Sequence, residues 1–279
     1  MSGREHSIEA WAWRIRRNAA DDARYRKQGW WRDRTPLDDF LDCVTAHPQK
    51  AAVVAYTRGS MRPQTLTYGQ LGAYVDRCAC ALIELGVERN DVVSLQLPNG
   101  WEFPVLALAT MRAGALVNPI PVIYRERELS FMMEHAASKV LAVATEFRGF
   151  SHEELARKLQ QRTPTLQHIV SAGAPASDLL NLERHCLKPC REDMLAELER
   201  RRPQADDPGL LMFTSGTTGT PKAALHTYNT LWAAGQPLAD QFLLREVVGV
   251  GGRQGRQQLA LVHEVVVEQD LAVGARPGG

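Results

Sequence analysis

Between about residues 36 and 200 the apolar positions switch repeatedly between a helical and a strand period. Leu71, Val75, Cys78, Leu82 and Leu85 recur near 3.6 residues and share one face of a helix that starts after Thr67-Tyr68. Gly86 follows where a helix end needs left-handed backbone. Residues 91–97 read as a strand, Pro98-Asn99 turns the chain, and a second helix is expected over about 101–113 with Asn99 or Gly100 near its cap. Val117 begins a short extended piece that ends at Pro119 and Pro121. Residues 125–138 are expected to be helical and 139–143 a strand. A further helix over 151–161 opens on Ser151 with Glu154 at capping-box spacing, and 166–170 read as a strand. Strands alternating with such helices predict an α/β fold, with largely parallel sheets flanked by helices. Residues 173–208 are polar and irregular apart from one helix near 194–201. They end in the turn Asp206-Asp207-Pro208, ahead of the apolar run Leu210-Leu211-Met212-Phe213.

Composition narrows the class. Hydrophobic residues make up 44% and charged residues 23% of the 279, which suits a soluble globular chain. A net charge of +1 gives no strong field toward nucleic acid or acidic membranes. Residues 1–35 differ from the rest. Trp11, Trp13, Trp30 and Trp31 alternate there with Arg14, Arg16, Arg17, Arg24, Arg26, Lys27, Arg32 and Arg34. Such interleaving suits single-stranded nucleic acid or a membrane surface. Glu9, Asp21, Asp22 and Asp33 dilute the charge, so a helical extension whose tryptophans pack on the domain body is the expectation, without nucleic acid. The five cysteines, Cys43, Cys78, Cys80, Cys186 and Cys190, lack metal-ligand spacing and are expected to be buried or free thiols in a reducing compartment. No apolar run approaches the roughly 18 residues of a membrane span, and the polar N-terminus has no signal-peptide core. A cytoplasmic location without integral membrane contact follows as an expectation.

The densest chemistry is Thr214-Ser215-Gly216-Thr217-Thr218-Gly219-Thr220-Pro221-Lys222. Glycines without Cβ atoms let backbone N–H groups approach anionic oxygens, the hydroxyls add donors, and Lys222 adds a point charge. A helix expected over about 228–242 would bring a favourable N-terminus toward bound phosphate. A Walker A loop fails, because the glycines are only three apart and Ala223 follows the lysine. A ligand-free surface turn is the bland alternative. The preceding strand and the placed lysine favour phosphate binding.

Residues 214–222 resemble the phosphate-loop signature of the adenylate-forming enzymes, which include acyl-CoA synthetases, peptide-synthetase adenylation domains and firefly luciferase. Leu66-Thr67-Tyr68-Gly69-Gln70-Leu71 is similar to an early segment of that family. Gln96-Leu97-Pro98-Asn99-Gly100-Trp101-Glu102-Phe103 followed by Arg112-Ala113-Gly114-Ala115 is similar to its next strand-helix unit. Within the family, residues 97–103, Tyr124-Arg125-Glu126-Arg127-Glu128-Leu129 and Gly29-Trp30-Trp31-Arg32-Asp33 resemble cyclohexanecarboxylate-CoA and medium-chain acyl-CoA ligases. The likeness covers about residues 25–245. It implies the N-terminal domain of the adenylate-forming fold and an ATP-dependent ligase that uses a small carboxylic acid, ATP, magnesium and coenzyme A. By position it implies phosphate binding by Ser215, Gly216, Thr217, Thr218, Gly219 and Lys222, with Thr214 a lesser contributor.

The chain also departs from the pattern. Ala223 stands where the family expects glycine. The acyl-pocket aromatic/histidine segment, the Tyr-Gly-x-Thr-Glu motif, the ribose-gripping Asp and the C-terminal catalytic lysine are not found after Lys222, so no catalytic or metal residue is assigned. Residues 246–279 are rich in Gly, Arg, Gln and Val, with Val265-Val266-Val267 as a strand candidate, and His263-Glu264 reads as an incidental polar pair. The expected layout is an extension over 1–35, an incomplete AMP-binding domain over 36–245 and an atypical, frameshifted or disordered tail over 246–279. Rival readings are a truncated chain that at most binds nucleotide phosphates, and a fragment of a peptide-synthetase adenylation domain. Exposed apolar sheet faces predict self-association.

Overall fold

The computed structural model describes residues 18–56, 63–173, 178–214, 222–241 and 265–268. It opens with α1 (Ala19–Lys27), α2 (Pro36–Ala46), β1 (Ala51–Tyr56), β2 (Gln64–Thr67), α3 (Tyr68–Glu84), β3 (Val92–Gln96), α4 (Glu102–Arg112) and β4 (Leu116–Pro119). There follow α5 (Glu126–His135), β5 (Val140–Ala144), the hairpin β6 (Glu146–Phe147) and β7 (Phe150–Ser151), α6 (His152–Arg162), β8 (His168–Ala172) and β9 (Leu180–Asn181). A π-helical turn (Leu182–Cys186), α7 (Glu192–Arg200), β10 (Pro208–Thr214), β11 (Lys222–Thr227), α8 (Tyr228–Gln241) and β12 (Val265–Glu268) complete the described chain.

Seven strands form one sheet in the order β11-β10-β4-β3-β5-β8-β9. Every neighbouring pair is parallel except β10 with β11. Successive strand residues point to opposite faces, and β5 uses both. Val140 and Ala142 join Leu71, Val75, Leu82 and Val105 of α3 and α4 on one side. Leu141 and Val143 join Leu129, Met133, Leu155 and Leu159 of α5 and α6 on the other. This is the predicted α/β arrangement, a mostly parallel sheet with helices on both faces. A second, smaller sheet sets β1 between antiparallel β2 and parallel β12. Val265-Val266-Val267 thus pairs as a strand, while His263 and Glu264 lie outside the described residues.

Local chemistry explains the best-defined boundaries. The Thr67 side chain accepts from the Gln70 backbone and the Gln70 side chain accepts from the Thr67 backbone, a complete capping box. Gly86 closes α3 at a φ of 79°. In the β6–β7 hairpin, Arg148 and Gly149 both take positive φ, as a two-residue turn matched to strand twist requires. Ser151 caps α6 through the Glu154 N–H. The α4 boundary differs from expectation: Trp101 occupies the cap position, and no side chain caps it. The 173–208 stretch holds more structure than its polarity suggests, because β9 adds a parallel edge strand to β8.

The thiol reading is corrected for two of the five cysteines. Cys43, Cys78 and Cys186 are free and buried, whereas Cys80 and Cys190 form a disulfide. Their Cα atoms lie 6.1 Å apart, within the span a disulfide accepts. The tryptophan-rich segment is only partly packed. Trp31 lies half-buried, 5.1 Å from the Tyr25 ring, while Trp30 is 54% exposed. Trp11 and Trp13 lie outside the described residues.

Candidate functional site

Strand β10 runs parallel to β4, with Leu210 opposite Val117. Its last residue, Thr214, therefore reaches the carboxyl edge of the parallel sheet, the edge at which open α/β sheets bind ligands. β11 returns antiparallel and sets Lys222 opposite Thr214. The Thr214 hydroxyl donates to the Lys222 carbonyl at 3.3 Å. Both residues are exposed, and together they form the two posts between which residues 215–221 connect. Of the predicted phosphate-binding residues, Thr214 and Lys222 are thus brought together. Ser215, Gly216, Thr217, Thr218 and Gly219 lie outside the described residues.

The posts stand on a packed base. Leu211 is buried with Val92, Leu116 and Ala136, and Ala223 and Leu225 pack against that group. Ala223, the departure from the family pattern, therefore contributes an apolar contact opposite Phe213. Phe213 also meets the Phe131 ring edge-on at 6.3 Å and the His135 ring at 6.1 Å. At the start of β10, Gly209 admits the buried Tyr228 ring, which would lie 2.5 Å from an added Cβ. Burial, then the nearby Asp207 carboxylate, push the Tyr228 hydroxyl well above its ordinary pKa, so it stays neutral.

One expectation is overturned here. The helix after the loop does not aim its N-terminus at Thr214 and Lys222, because β11 intervenes and carries the chain back to the opposite edge. The first N–H groups of α8 are already used. Tyr228 donates to the Asp207 carbonyl at 3.2 Å, Asn229 to the Ala205 carbonyl at 2.8 Å, and Thr230 to the Thr227 hydroxyl at 3.2 Å. That terminus anchors the hairpin instead of binding an anion.

A polar strap from the N-terminal segment secures the same place. The Arg32 backbone N–H donates to Asn229 Oδ1 at 2.9 Å, and the Arg32 guanidinium lies 3.4 Å from the Trp232 ring centroid. Asp206 accepts from Asn229 at 2.7 Å and from Arg26 at 2.6 Å. Arg32 also pairs with Asp39 of α2. Several arginines of the extension thus contact the domain body and its carboxylates.

A second polar cluster lies further along the same sheet edge, and the sequence reading missed it. Gln96, the buried last residue of β3, donates to the carbonyls of Pro121 at 3.2 Å and Tyr124 at 3.0 Å. Its Oε1 is 3.1 Å from His152 Nδ1, which must be the donor because an amide oxygen only accepts. His152 Nε2 is buried without a partner. Burial, then the Arg125 charge, hold its pKa down at about 4, so the ring is neutral at pH 7. Gln96 at the end of a fully buried strand was the available signal. Among the described residues, no group of three or more His, Cys, Asp or Glu is arranged to hold a metal.

The family model for "AMP-binding enzyme" matches residues 40–249. The chain belongs to the AMP-binding enzyme family. A relative from Streptomyces carzinostaticus, 2-hydroxy-7-methoxy-5-methyl-1-naphthoate–CoA ligase, is 33% identical over 216 residues, covering 75% of this chain and 37% of the relative. The medium-chain fatty-acid–CoA ligase of Escherichia coli K12 is 31% identical over 214 residues, covering 76% and 37%. Among solved structures, the apo structure of MbtA from Mycobacterium smegmatis superimposes with a TM-score of 0.63 at 27% identity, covering 77% of this chain and 37% of that one. The chain spans just over a third of the length of these relatives. Among its described residues, no helix is long and apolar enough to cross a membrane.

Proposed function

We propose that this chain supplies the phosphate-gripping part of an ATP-dependent carboxylic acid–CoA ligase. The observation that carries this reading is the β10–β11 hairpin, which sets Thr214 and Lys222 as facing posts at the carboxyl edge of the sheet. The hydroxyl- and glycine-rich residues 215–221 connect them. In the proposed reaction a carboxylate attacks the α-phosphate of ATP, releasing pyrophosphate and leaving an acyl-adenylate. The coenzyme A thiol then displaces AMP and forms the thioester. Ser215, Gly216, Thr217, Thr218 and Gly219 offer hydroxyl and backbone donors to the β- and γ-phosphates, Lys222 offers its charge to the departing pyrophosphate, and Thr214 fixes the strand end. Magnesium belongs to the same reading, as a counter-charge on the phosphates.

The acid remains a choice within this proposal. Residues 97–103 and 124–129 favour an alicyclic or medium-chain acid, as in a cyclohexanecarboxylate- or medium-chain acyl-CoA ligase of fatty acid metabolism. The named relatives include both an aryl acid ligase and a medium-chain one. The rival reading is a chain that binds nucleotide phosphates without turnover. The layout taken with either reading is an extension over 1–35, a partial AMP-binding domain over 36–245 and a distinct tail over 246–279, in a cytoplasmic protein.

Pyrophosphate exchange separates the two. Purified chain is given ATP, magnesium and, in turn, cyclohexanecarboxylate, octanoate and salicylate. Acid-dependent exchange that falls on the order of 100-fold in Lys222→Ala supports the ligase. No exchange, with ATP binding that Lys222→Ala weakens, supports the rival. Neither exchange nor Lys222-dependent ATP binding removes both.

A further inference from the structure

Four of the five cysteines meet where α3 faces the chain between β9 and α7. Cys78 and Cys80 come from α3, Cys186 from the π-helical turn and Cys190 from the segment that follows. Two positions apart on a helix, Cys78 and Cys80 point in different directions, and each finds its own partner. The Cys78 thiol hydrogen-bonds to Cys186, and that contact together with burial pushes its pKa well above the ordinary thiol value. Cys43 is also raised, by burial in the first place. These thiols stay protonated, and a protonated buried thiol is a poor nucleophile. Cys78 is therefore ill-suited to attack the disulfide beside it and scramble it.

The Cys80–Cys190 pair is built differently. Cys80 is buried, whereas Cys190 is half-exposed and follows exposed Lys188 and Pro189. Cys190 Sγ also lies 3.2 Å from the Asp76 carbonyl oxygen. In the disulfide that sulfur carries no proton. In the dithiol the same geometry makes an S–H···O hydrogen bond, and buried Cys80 becomes a small apolar group among α3 neighbours. The dithiol would thus give Cys190 a hydrogen-bond acceptor and Cys80 an apolar site.

We propose that Cys80 and Cys190 are a reversible redox staple, opened by low-molecular-weight thiols at the Cys190 sulfur. The thiolate forms a bond to Cys190 Sγ as the Cys80–Cys190 bond breaks, and the electron pair leaves on Cys80 Sγ, which takes up a proton. A second thiolate attacks the small-molecule sulfur of the mixed disulfide and releases Cys190. The protein gains two electrons, and two small thiols become one disulfide. The staple holds the 187–191 segment against α3. From there the chain runs through α7 to β10, so the redox state sets how firmly the approach to the hairpin is tethered. This inference does not rest on the proposed ligase reaction.

The test is made on the full chain, equilibrated natively with oxidised or reduced glutathione, quenched in acid, alkylated after denaturation and mapped by mass spectrometry. With oxidised glutathione the expected result is a Cys80–Cys190 linked peptide with Cys43, Cys78 and Cys186 alkylated. With reduced glutathione all five are alkylated, and the link returns on re-oxidation. The oxidised chain should melt higher than the reduced one, and the difference should vanish in both Cys190→Ser and Cys80→Ala. Free Cys80 and Cys190 after oxidation, a link through another cysteine, or a link that reduced glutathione cannot open natively would each overturn the proposal. The peptide map decides on the unmutated chain even where a variant fails to fold.

Discussion

At Gly209 a single hydrogen atom stands where any other residue would meet the Tyr228 ring, with Cε1, Cζ and Cδ1 all within 3 Å of an added Cβ. The ring is buried and its backbone N–H is held by Asp207, so it has little room to retreat. Gly209→Ala should cost about 1–3 kcal/mol of stability, measured by urea denaturation. An unchanged midpoint would mean that the ring is not seated as described. His152 makes a prediction in pH. Its folded pKa of about 4 lies below the ordinary imidazole value near 6.5, so between these values the unfolded chain binds more protons. Its contribution is fully present above about pH 6.5 and is lost as pH falls toward 4, on the order of 3 kcal/mol. Between about pH 6.5 and 4 the denaturation midpoint of the wild type should therefore fall with pH more steeply than that of His152→Gln. The Ser151 cap of α6 was legible from sequence because its partner Glu154 lies three residues on. The Gln96–His152 pair was not, because 56 residues separate two groups that only the sheet brings together.

Among the elements, the helices and central strands followed the apolar periods closely, and β11 did not. Lys222–Thr227 reads Lys-Ala-Ala-Leu-His-Thr, with a single strongly apolar side chain and no clean alternation. It is a strand because β10 offers it an unpaired edge, a tertiary cause that no local window contains. The consequence for the site is large, since it moves the α8 terminus to the base of the hairpin. That base also depends on Arg32. Arg32→Ala removes the stacking on Trp232 and the pair with Asp39, a loss of roughly 1–2 kcal/mol. Amide exchange over the first turn of α8 should quicken while the interior of α3 stays protected. Uniform quickening across both helices would argue against a local strap.

For the molecule as a whole, the outer strand of the seven-stranded sheet matters most. Among the described residues β11 pairs only with β10, and Met212 beside it is 41% exposed. Strand edges and apolar faces of this kind invite pairing with other chains. We expect concentration-dependent self-association in sedimentation velocity, reduced by Met212→Lys. A monodisperse monomer at every concentration would refute it. The Arg32–Asn229 contact bears on a different process, because its two ends are 197 residues apart in the chain. Ribosomes add about 5–20 residues per second, so Arg32 emerges roughly 10–40 s before its partner. Throughout that interval the Arg32 backbone and guanidinium lack Asn229 and Trp232. The strap over the hairpin base is therefore among the last contacts that synthesis allows the chain to close.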